Sequence, residues 1–222
     1  MNNSVTNTAR LLWAGLRALL VLTVICGVLY PLAITGVAQG LFSDQANGSE
    51  IKANGTVVGS SLIGQSYNLP LKKGQETPDA DLKWFQGRPA NGLGANSVNT
   101  QYKLILSGAT NRSGDNADLI KWVKDAKKAV IKDNSVNGYT VRPSDVPADA
   151  VTSSGSGLDP DISPDYADIQ VHRIAEKNGL PVAQVQKLVD EHTDGRTLGF
   201  IGEPRVNVLQ LNIALKELVA KS

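Results

Sequence analysis

Cysteine is almost absent from this chain of 222 residues: Cys26 is the only one, and it lies inside an apolar run. That excludes an internal disulfide and any cysteine-based metal site. Acidic residues are absent from positions 1–43, which carry Arg10 and Arg17 as their only charges. Of the 22 basic residues, the other 20 lie with all 21 acidic ones in residues 44–222. The formal net charge of +1 therefore joins a basic N-terminus to a body at −1, with no footprint for nucleic acid. No glycine-rich loop ends in Gly-Lys-Ser/Thr, so a Walker-type phosphate cradle is excluded. An Asp-Lys-Thr-Gly phosphorylation motif, a Thr-Val-Gly-Tyr-Gly filter, an H-E-x-x-H pair and a G-x-S-x-G elbow are likewise missing. His172 and His192 fall on separate predicted helices as ordinary boundary histidines. There is no internal repeat, low-complexity tract or coiled coil.

What is present begins with a membrane segment. Ala18 to Ser43 is uncharged throughout. A bilayer core of roughly 30 Å takes about 20 helical residues, so residues 11–43 are predicted to form one transmembrane helix. Pro31 lacks an amide proton and marks a kink or the outer end. Trp13 and Tyr30, about 26 Å apart along a helix, are spaced as an interfacial pair, with Arg17 snorkelling outward. The competing reading is a cleaved signal peptide, but the apolar run exceeds the usual h-region of about 7–15 residues and Gly36–Val37–Ala38 is a poor cleavage site. With both arginines ahead of the span, residues 1–10 are expected in the cytoplasm and residues 44–222 outside. Gly27, Gly36 and Gly40 permit close helix packing, as an assembled subunit needs; sitting in lipid alone is the bland alternative.

The outer domain reads as α+β, β-rich in its first half and helical in its second. Asn54-Gly55 between Ile51–Ala53 and Thr56–Val58 predicts a hairpin with a type I′ turn. "LIGQSY" is expected to continue the sheet, and residues 68–83 to be turn-rich. Lys83 to Asn99 is expected to be an ordered irregular loop held by Trp84 and Phe85. Leu119, Trp122, Val123, Ala126 and Val130 form a helical stripe over 118–132. A turn-rich connector then leads to a short strand near Ala150–Thr152. Ser163-Pro164 signals an N-cap and first helical residue, with Gly179 as the stop. Pro181 starts another helix. Asn207 caps a last one, whose stripe is Val208, Leu211, Leu215 and Leu218.

Six strings in order carry a resemblance: "YPL" at 30–32, "QANGS" at 45–49, "GSSLIGQ" at 59–65, "FQGRPA" at 85–90, "TSSGSGLDPDISP" at 152–164 with Gln170, and "GEPRVNVLQLNIAL" at 202–215. Together they resemble the C-subunit family of the Kdp-type potassium-transporting ATPases. The chain departs from that pattern in "NGLGANSVN" after "GRPA" and in the lysines from Lys121 to Lys132. The resemblance implies an accessory subunit of a bacterial inner-membrane complex, with a channel-like A subunit, a P-type ATPase B subunit and a small F peptide as partners. Potassium is then the ion the complex carries, and this chain has no catalytic site of its own. The family's C subunit is described as a catalytic chaperone that raises the ATP affinity of the B subunit. The alternatives are a membrane-anchored extracytoplasmic enzyme and a binding module unrelated to transport.

Ser153 to Gln170, with Asp159, Asp161, Asp165 and Asp168, admits three readings. It is a glycine-rich turn and a capped helix start, where Gly155 and Gly157 allow unusual backbone angles and Asp165 and Asp168 face the positive helix end. Or it is the ATP contact that the resemblance suggests, at Ser154, Gly155, Ser156 and Gly157, against which four carboxylates and the lack of a nearby lysine argue. Or its aspartates attract cations over about 8–10 Å toward a channel mouth. Arg88 and Arg205, each beside a proline, are candidate partner contacts; the alternative is that they bond local carbonyls.

Overall fold

The computed structural model describes residues 3–75, 78–89, 107–108 and 112–222. The chain divides into two units, Met1–Glu50 and Ile51–Ser222.

The first unit is one long helix with a short coda. Helix α1 (Asn3–Val24) passes through a π turn at Ile25–Leu29 into α2 (Tyr30–Leu41). Pro31 therefore does not end the helix. It offers no N–H to the carbonyl one turn back, and the wider turn just ahead of it, where the Tyr30 amide donates to the Ile25 carbonyl, absorbs the misfit. Ser4–Leu41 is long and apolar enough to cross a membrane. At 1.5 Å per residue it spans about 57 Å, so its ends project beyond a hydrocarbon core of roughly 30 Å. A four-residue helix, α3 (Ser43–Ala46), follows, and the Asn47 and Gln39 side-chain amides bond each other at 3.1 and 3.2 Å.

The second unit is a mixed α/β domain. Strands β1 (Glu50–Ala53) and β2 (Thr56–Ser60) pair across Asn54 and Gly55, whose φ values of 51° and 77° are both positive, as a type I′ turn demands. "LIGQSY" does not extend this sheet. Its polar groups bond elsewhere: Gln65 Nε2 donates to the Val58 carbonyl at 2.8 Å, and the Gly64 amide to the Leu158 carbonyl at 2.7 Å. Tyr67–Asn68 and Asp79–Asp81 make a single antiparallel bridge. The part of the expected irregular loop from Ala90 to Asn99 lies outside the described residues.

Helix α4 (Ala117–Asn134) starts at Asn116, whose side chain accepts from the Asp118 and Leu119 amides. Only the C-terminal end of its stripe is fully buried, at Val130; Trp122 is exposed, with the Arg112 guanidinium 4.5 Å from its ring centre. The strand expected at 150–152 is instead a 3-10 turn, Ala148–Ala150. There the Ala148 carbonyl accepts from the Val151 and Thr152 amides and from Thr152 Oγ1, so local bonds displace a ladder.

Strand β3 (Asp161–Ile162), helix α5 (Pro164–Asn178), helix α6 (Val182–Glu191), strands β4 (Thr193–Asp194) and β5 (Arg205–Asn207), and helix α7 (Val208–Lys221) complete the domain. The sheet order is β3-β5-β4, antiparallel, with Val206 opposite both Ile162 and Thr193. Strands thus interleave with the C-terminal helices, and a β-first, helix-second order does not describe the described residues. Helix α5 begins at the expected cap, Ser163 Oγ accepting from the Tyr166 amide at 3.1 Å, and stops at left-handed Gly179. Pro181 is the residue preceding α6 rather than its first. Helix α5 packs against α4 and α6, and α6 against α7. Ile169, Ile174, Val185, Val189, Leu211 and Leu215 form the centre of the core.

Candidate functional site

The segment Trp84–Arg88 crosses the core without secondary structure, so its peptide groups need partners other than a ladder. Two buried side-chain amides supply them. Asn212 on α7 accepts from the Phe85 amide and donates to the Phe85 carbonyl, both at 2.9 Å. Gln170 on α5 does the same for Gln86, accepting at 2.7 Å and donating at 3.0 Å. Each amide plays the part of a neighbouring strand for one residue. Gln170 Oε1 also accepts from Arg173 Nη2 at 2.6 Å.

Arg173 is 1% exposed and has no carboxylate among its hydrogen-bond partners. It donates to Asn134 Oδ1 at 2.8 Å, to the Trp84 carbonyl at 3.0 Å and to the Leu82 carbonyl. Burial pushes the guanidinium down to about 10, which leaves it charged at neutral pH. Its charge is spread over carbonyl and amide oxygens at hydrogen-bond distance, with the Asp133 and Asp81 carboxylates acting on it from further off. Burial also pushes the neighbouring Tyr166 hydroxyl up to about 12.

The segment then delivers Arg88 to the acidic loop. Arg88 Nη1 lies 3.0 Å from Asp159 Oδ2, while Nη2 and Nε donate to the Ser153 and Thr152 carbonyls at 3.3 and 3.4 Å. The sequence offers no lysine near these aspartates; the cation that meets Asp159 is an arginine from 71 residues away. Around this pair runs a polar cleft of about 260 Å³, bordered by Gly64, Gln86, Arg88, Ser154, Gly157 and Asp159. Gly64 is pinned there, because a Cβ would sit 2.6 Å from the Asp159 carbonyl oxygen.

The hydroxyls of Ser154 and Ser156 bond within their own loop. They lie 3.3 Å apart and accept from the Asp159 and Leu158 amides at 3.4 and 3.0 Å. Gly157 has a positive φ of 69°, whereas Gly155 does not adopt the left-handed region. The four aspartates do not converge. Asp159 pairs with Arg88 and accepts from the Asp161 amide; Asp161 accepts from Asn207 Nδ2 at 3.1 Å and pairs with Arg205 Nε at 3.3 Å. Desolvation raises the Asp161 carboxyl above its ordinary value, against Asn207 and Arg205, which lower it. Asp165 and Asp168 are exposed on α5, and Asp168 accepts from Gln186 Nε2 at 2.8 Å. Among the described residues no group of three or more His, Cys, Asp or Glu is placed to hold a metal ion.

Arg205 is half exposed and shared between Asp161 and Asp194. His172 stacks on Tyr139 with ring centres 3.9 Å apart, and His192 Nδ1 lies 2.8 Å from the Leu188 carbonyl. In the helical unit, a Cβ added at Gly36 or Gly40 meets nothing within 4 Å, and one at Gly27 touches only Thr23. Sequence reasoning missed Asn212, Arg173 and Asp149, the last of which accepts from the Ser163 amide and hydroxyl at 2.7 and 2.9 Å. The available signal was a polar residue inside an apolar helical stripe, as in "LQLNIAL".

A family profile described as K+-transporting ATPase, c chain, matches residues 12–217. The potassium-transporting ATPase KdpC subunit of Streptomyces avermitilis is 88% identical over 222 residues, covering all of both chains. That of Streptomyces coelicolor is 77% identical over 220 residues, 99% of this chain and 98% of its own. At greater distance, the KdpC subunit of Gemmatimonas aurantiaca is 44% identical over 211 residues, 93% of this chain and 94% of its own.

Proposed function

The chain belongs to the KdpC family of K+-transporting ATPase c chains, and we propose on that ground that it is the accessory, non-catalytic subunit of an ATP-driven potassium import complex. The observation that carries this is the end-to-end match, residues 12–217, with full-length relatives bearing the same subunit name. Its partners are a channel-like A subunit, a P-type ATPase B subunit and a small F subunit. The helix Ser4–Leu41 anchors it in the bacterial inner membrane, with residues 1–10 cytoplasmic and residues 44–222 outside. The open faces at Gly36 and Gly40, four residues apart and so on one side of α2, are where a partner helix packs closely.

The loop from Ser153 to Gln170 acts as a brace. Its two serine hydroxyls take backbone amides that a phosphate would otherwise receive, and Arg88 is engaged with Asp159 and two carbonyls, so the loop is built to hold itself together. The adjoining cleft of about 260 Å³ is also smaller than the roughly 300–1,000 Å³ of ordinary ligand pockets. The subunit's effect on the pump, including any gain in ATP affinity of the B subunit, then comes from assembly and not from nucleotide held at Ser154–Gly157. Purification in detergent tests the reading. A tagged chain is expected to bring down a P-type ATPase and a channel-like subunit, and potassium-stimulated ATP hydrolysis is expected to fall when the chain is omitted. Protease added to sealed right-side-out vesicles is expected to digest residues 44–222; protection there would overturn the orientation.

A further inference from the structure

Charge is segregated within the domain. Segment 112–134, which contains helix α4, carries six cations and four carboxylates, a net +2, while the rest of residues 44–222 stands at −3. Spacings of three, four and four put Lys121, Lys124, Lys128 and Lys132 in one row along α4, opposite the stripe that ends in buried Val130. All four are exposed, the side chains of Lys121 and Lys128 at 73% and 81%. The acids around the row leave it positive. Asp125 is shared between Lys121 and Lys128 at 2.7 and 3.9 Å. Asp118 pairs with Arg112 at 2.6 Å, and Asp79, which feels Lys132, pairs with Lys72 at 2.9 Å. Asp133 is half-buried, and Asp115, ahead of the helix cap, bonds Ser113. Lys124 and Lys132 have no carboxylate within ion-pair distance among the described residues.

The chemistry of the row says what it meets. Protein interfaces are depleted of lysine and rely on arginine and aromatic anchors, and the row has neither. It is straight and, at 1.5 Å per residue, about 16 Å long. An ammonium is a strongly hydrated point charge, so it gains most from a broad, wet, anionic layer that it can meet without shedding water. A bilayer surface is such a layer, and the chain is tied to one. Leu41 at the end of the long helix and Ile51 at the start of the domain are ten residues apart, at most about 35 Å of chain. So short a tether raises the effective concentration of the surface until a net charge of +2 is enough to hold the domain on it. The lysines are also where the chain departs from the family pattern, so the property belongs to this chain and its near relatives. We infer that the Lys121–Lys132 row of α4 docks the domain on the anionic phospholipid headgroups of the membrane that anchors the chain.

This rests on the anchored-helix reading above, and the test separates the two. The full chain, with Cys26→Ser and a bimane label on Ala117→Cys, is reconstituted into vesicles of phosphatidylcholine alone or mixed with phosphatidylglycerol. Ala117 is exposed and four residues ahead of Lys121, at the head of the row. Lipids spin-labelled on the headgroup quench the bimane when the row lies on the surface. The ratio of docked to free domain is expected to rise about 30-fold from neutral to anionic vesicles, the effect of two net charges. It is expected to fall back in 1 M salt, where the screening length is about 3 Å. Lys121→Gln, Lys124→Gln, Lys128→Gln and Lys132→Gln together are expected to abolish the rise while the chain keeps its thermal midpoint in detergent, since exposed ion pairs contribute little. Equal quenching in neutral and anionic vesicles, or quenching that salt leaves unchanged, overturns the docking inference and leaves the anchor standing. So does a quadruple variant that still docks, or one that sheds another subunit from the complex with its lipid quenching intact, which assigns the row to a protein. Release of the wild-type chain from the vesicles by alkaline carbonate overturns both.

Discussion

Replacing Gln170 tests whether a side-chain amide is what holds the Trp84–Arg88 segment in the core. In Gln170→Leu the volume is nearly kept and four hydrogen bonds go: two with the Gln86 backbone, one with Arg173 and one with the Tyr166 carbonyl. A neutral bond contributes about 1 kcal/mol and a charge-assisted one about 2 kcal/mol, while the orphaned Gln86 amide and Arg173 keep their desolvation cost. The Tyr166 carbonyl is a minor loss because it lies within α5. The expected destabilisation is about 4 kcal/mol. Gln170→Glu keeps both acceptor roles, for the Gln86 amide and for Arg173, and places a carboxylate in direct contact with a guanidinium whose hydrogen-bond partners include none. It loses the donations to the Gln86 and Tyr166 carbonyls and turns them into oxygen–oxygen contacts, a cost that the new charge pair with Arg173 offsets in large part, so the expected net cost is about 1–2 kcal/mol. For a domain of this size 1 kcal/mol moves the midpoint by about 2–4 °C, which puts Leu about 10 °C below wild type and Glu about 4 °C below. Thermal unfolding of the full chain in detergent, followed by tryptophan fluorescence, reads both. If Leu melts within 2 °C of wild type, or melts above Glu, the amide is not what holds the segment.

Three further outcomes follow from the same geometry. A double-mutant cycle with Arg88→Ala and Asp159→Asn is expected to give a coupling of about 1 kcal/mol, the size for a charge pair that is a quarter to a third exposed; a coupling near zero would detach the loop from Arg88. Gly64→Ala is expected to cost about 2–3 kcal/mol, because the carbonyl 2.6 Å away is backbone and cannot swing aside; a neutral result in denaturant unfolding would deny that close approach. Asp161 binds its proton more tightly folded than unfolded, since desolvation raises it, so the folded chain holds more protons just above the ordinary carboxylate range and stability falls as pH rises through that window. Asp161→Asn is expected to remove that fall in urea midpoints measured between pH 4 and 6, and an unchanged slope would assign it elsewhere.

What the sequence made legible was local. Ser163-Pro164 and Gly179 bound α5 because a cap needs only a hydroxyl three residues from an amide and a stop needs one left-handed residue. Asn54-Gly55 made its turn for the same kind of reason. The site was illegible because its bonds join residues 71, 84 and 127 positions apart: Arg88 to Asp159, Gln86 to Gln170, Phe85 to Asn212. Strands of two or three residues show no period to read, so β3, β4 and β5 leave no signal in the sequence, while "LIGQSY" carries a strand-like signal and has no partner edge. Gln170 and Asn212 break apolar stripes, and in both the break is where the function of the side chain lies.

The magnitude of its field decides what the acidic loop does. The loop's four carboxylates are met by two guanidiniums, Arg88 and Arg205, leaving −2, or −3 when Asp194, which shares Arg205, is included. In water a unit charge 10 Å away feels each of these with about 0.4 kcal/mol, and ions at physiological strength cut that to about a third. A passing cation therefore gains about 0.3–0.5 kcal/mol, below the thermal energy of about 0.6 kcal/mol. The same carboxylates act at 3 Å inside the domain, where a part-buried charge pair and the Asp161 and Asn207 bonds contribute more than that each. An aspartate that holds Arg88, and through it the segment that Asn212 and Gln170 clamp, is worth more to this domain than its pull on an ion in solvent.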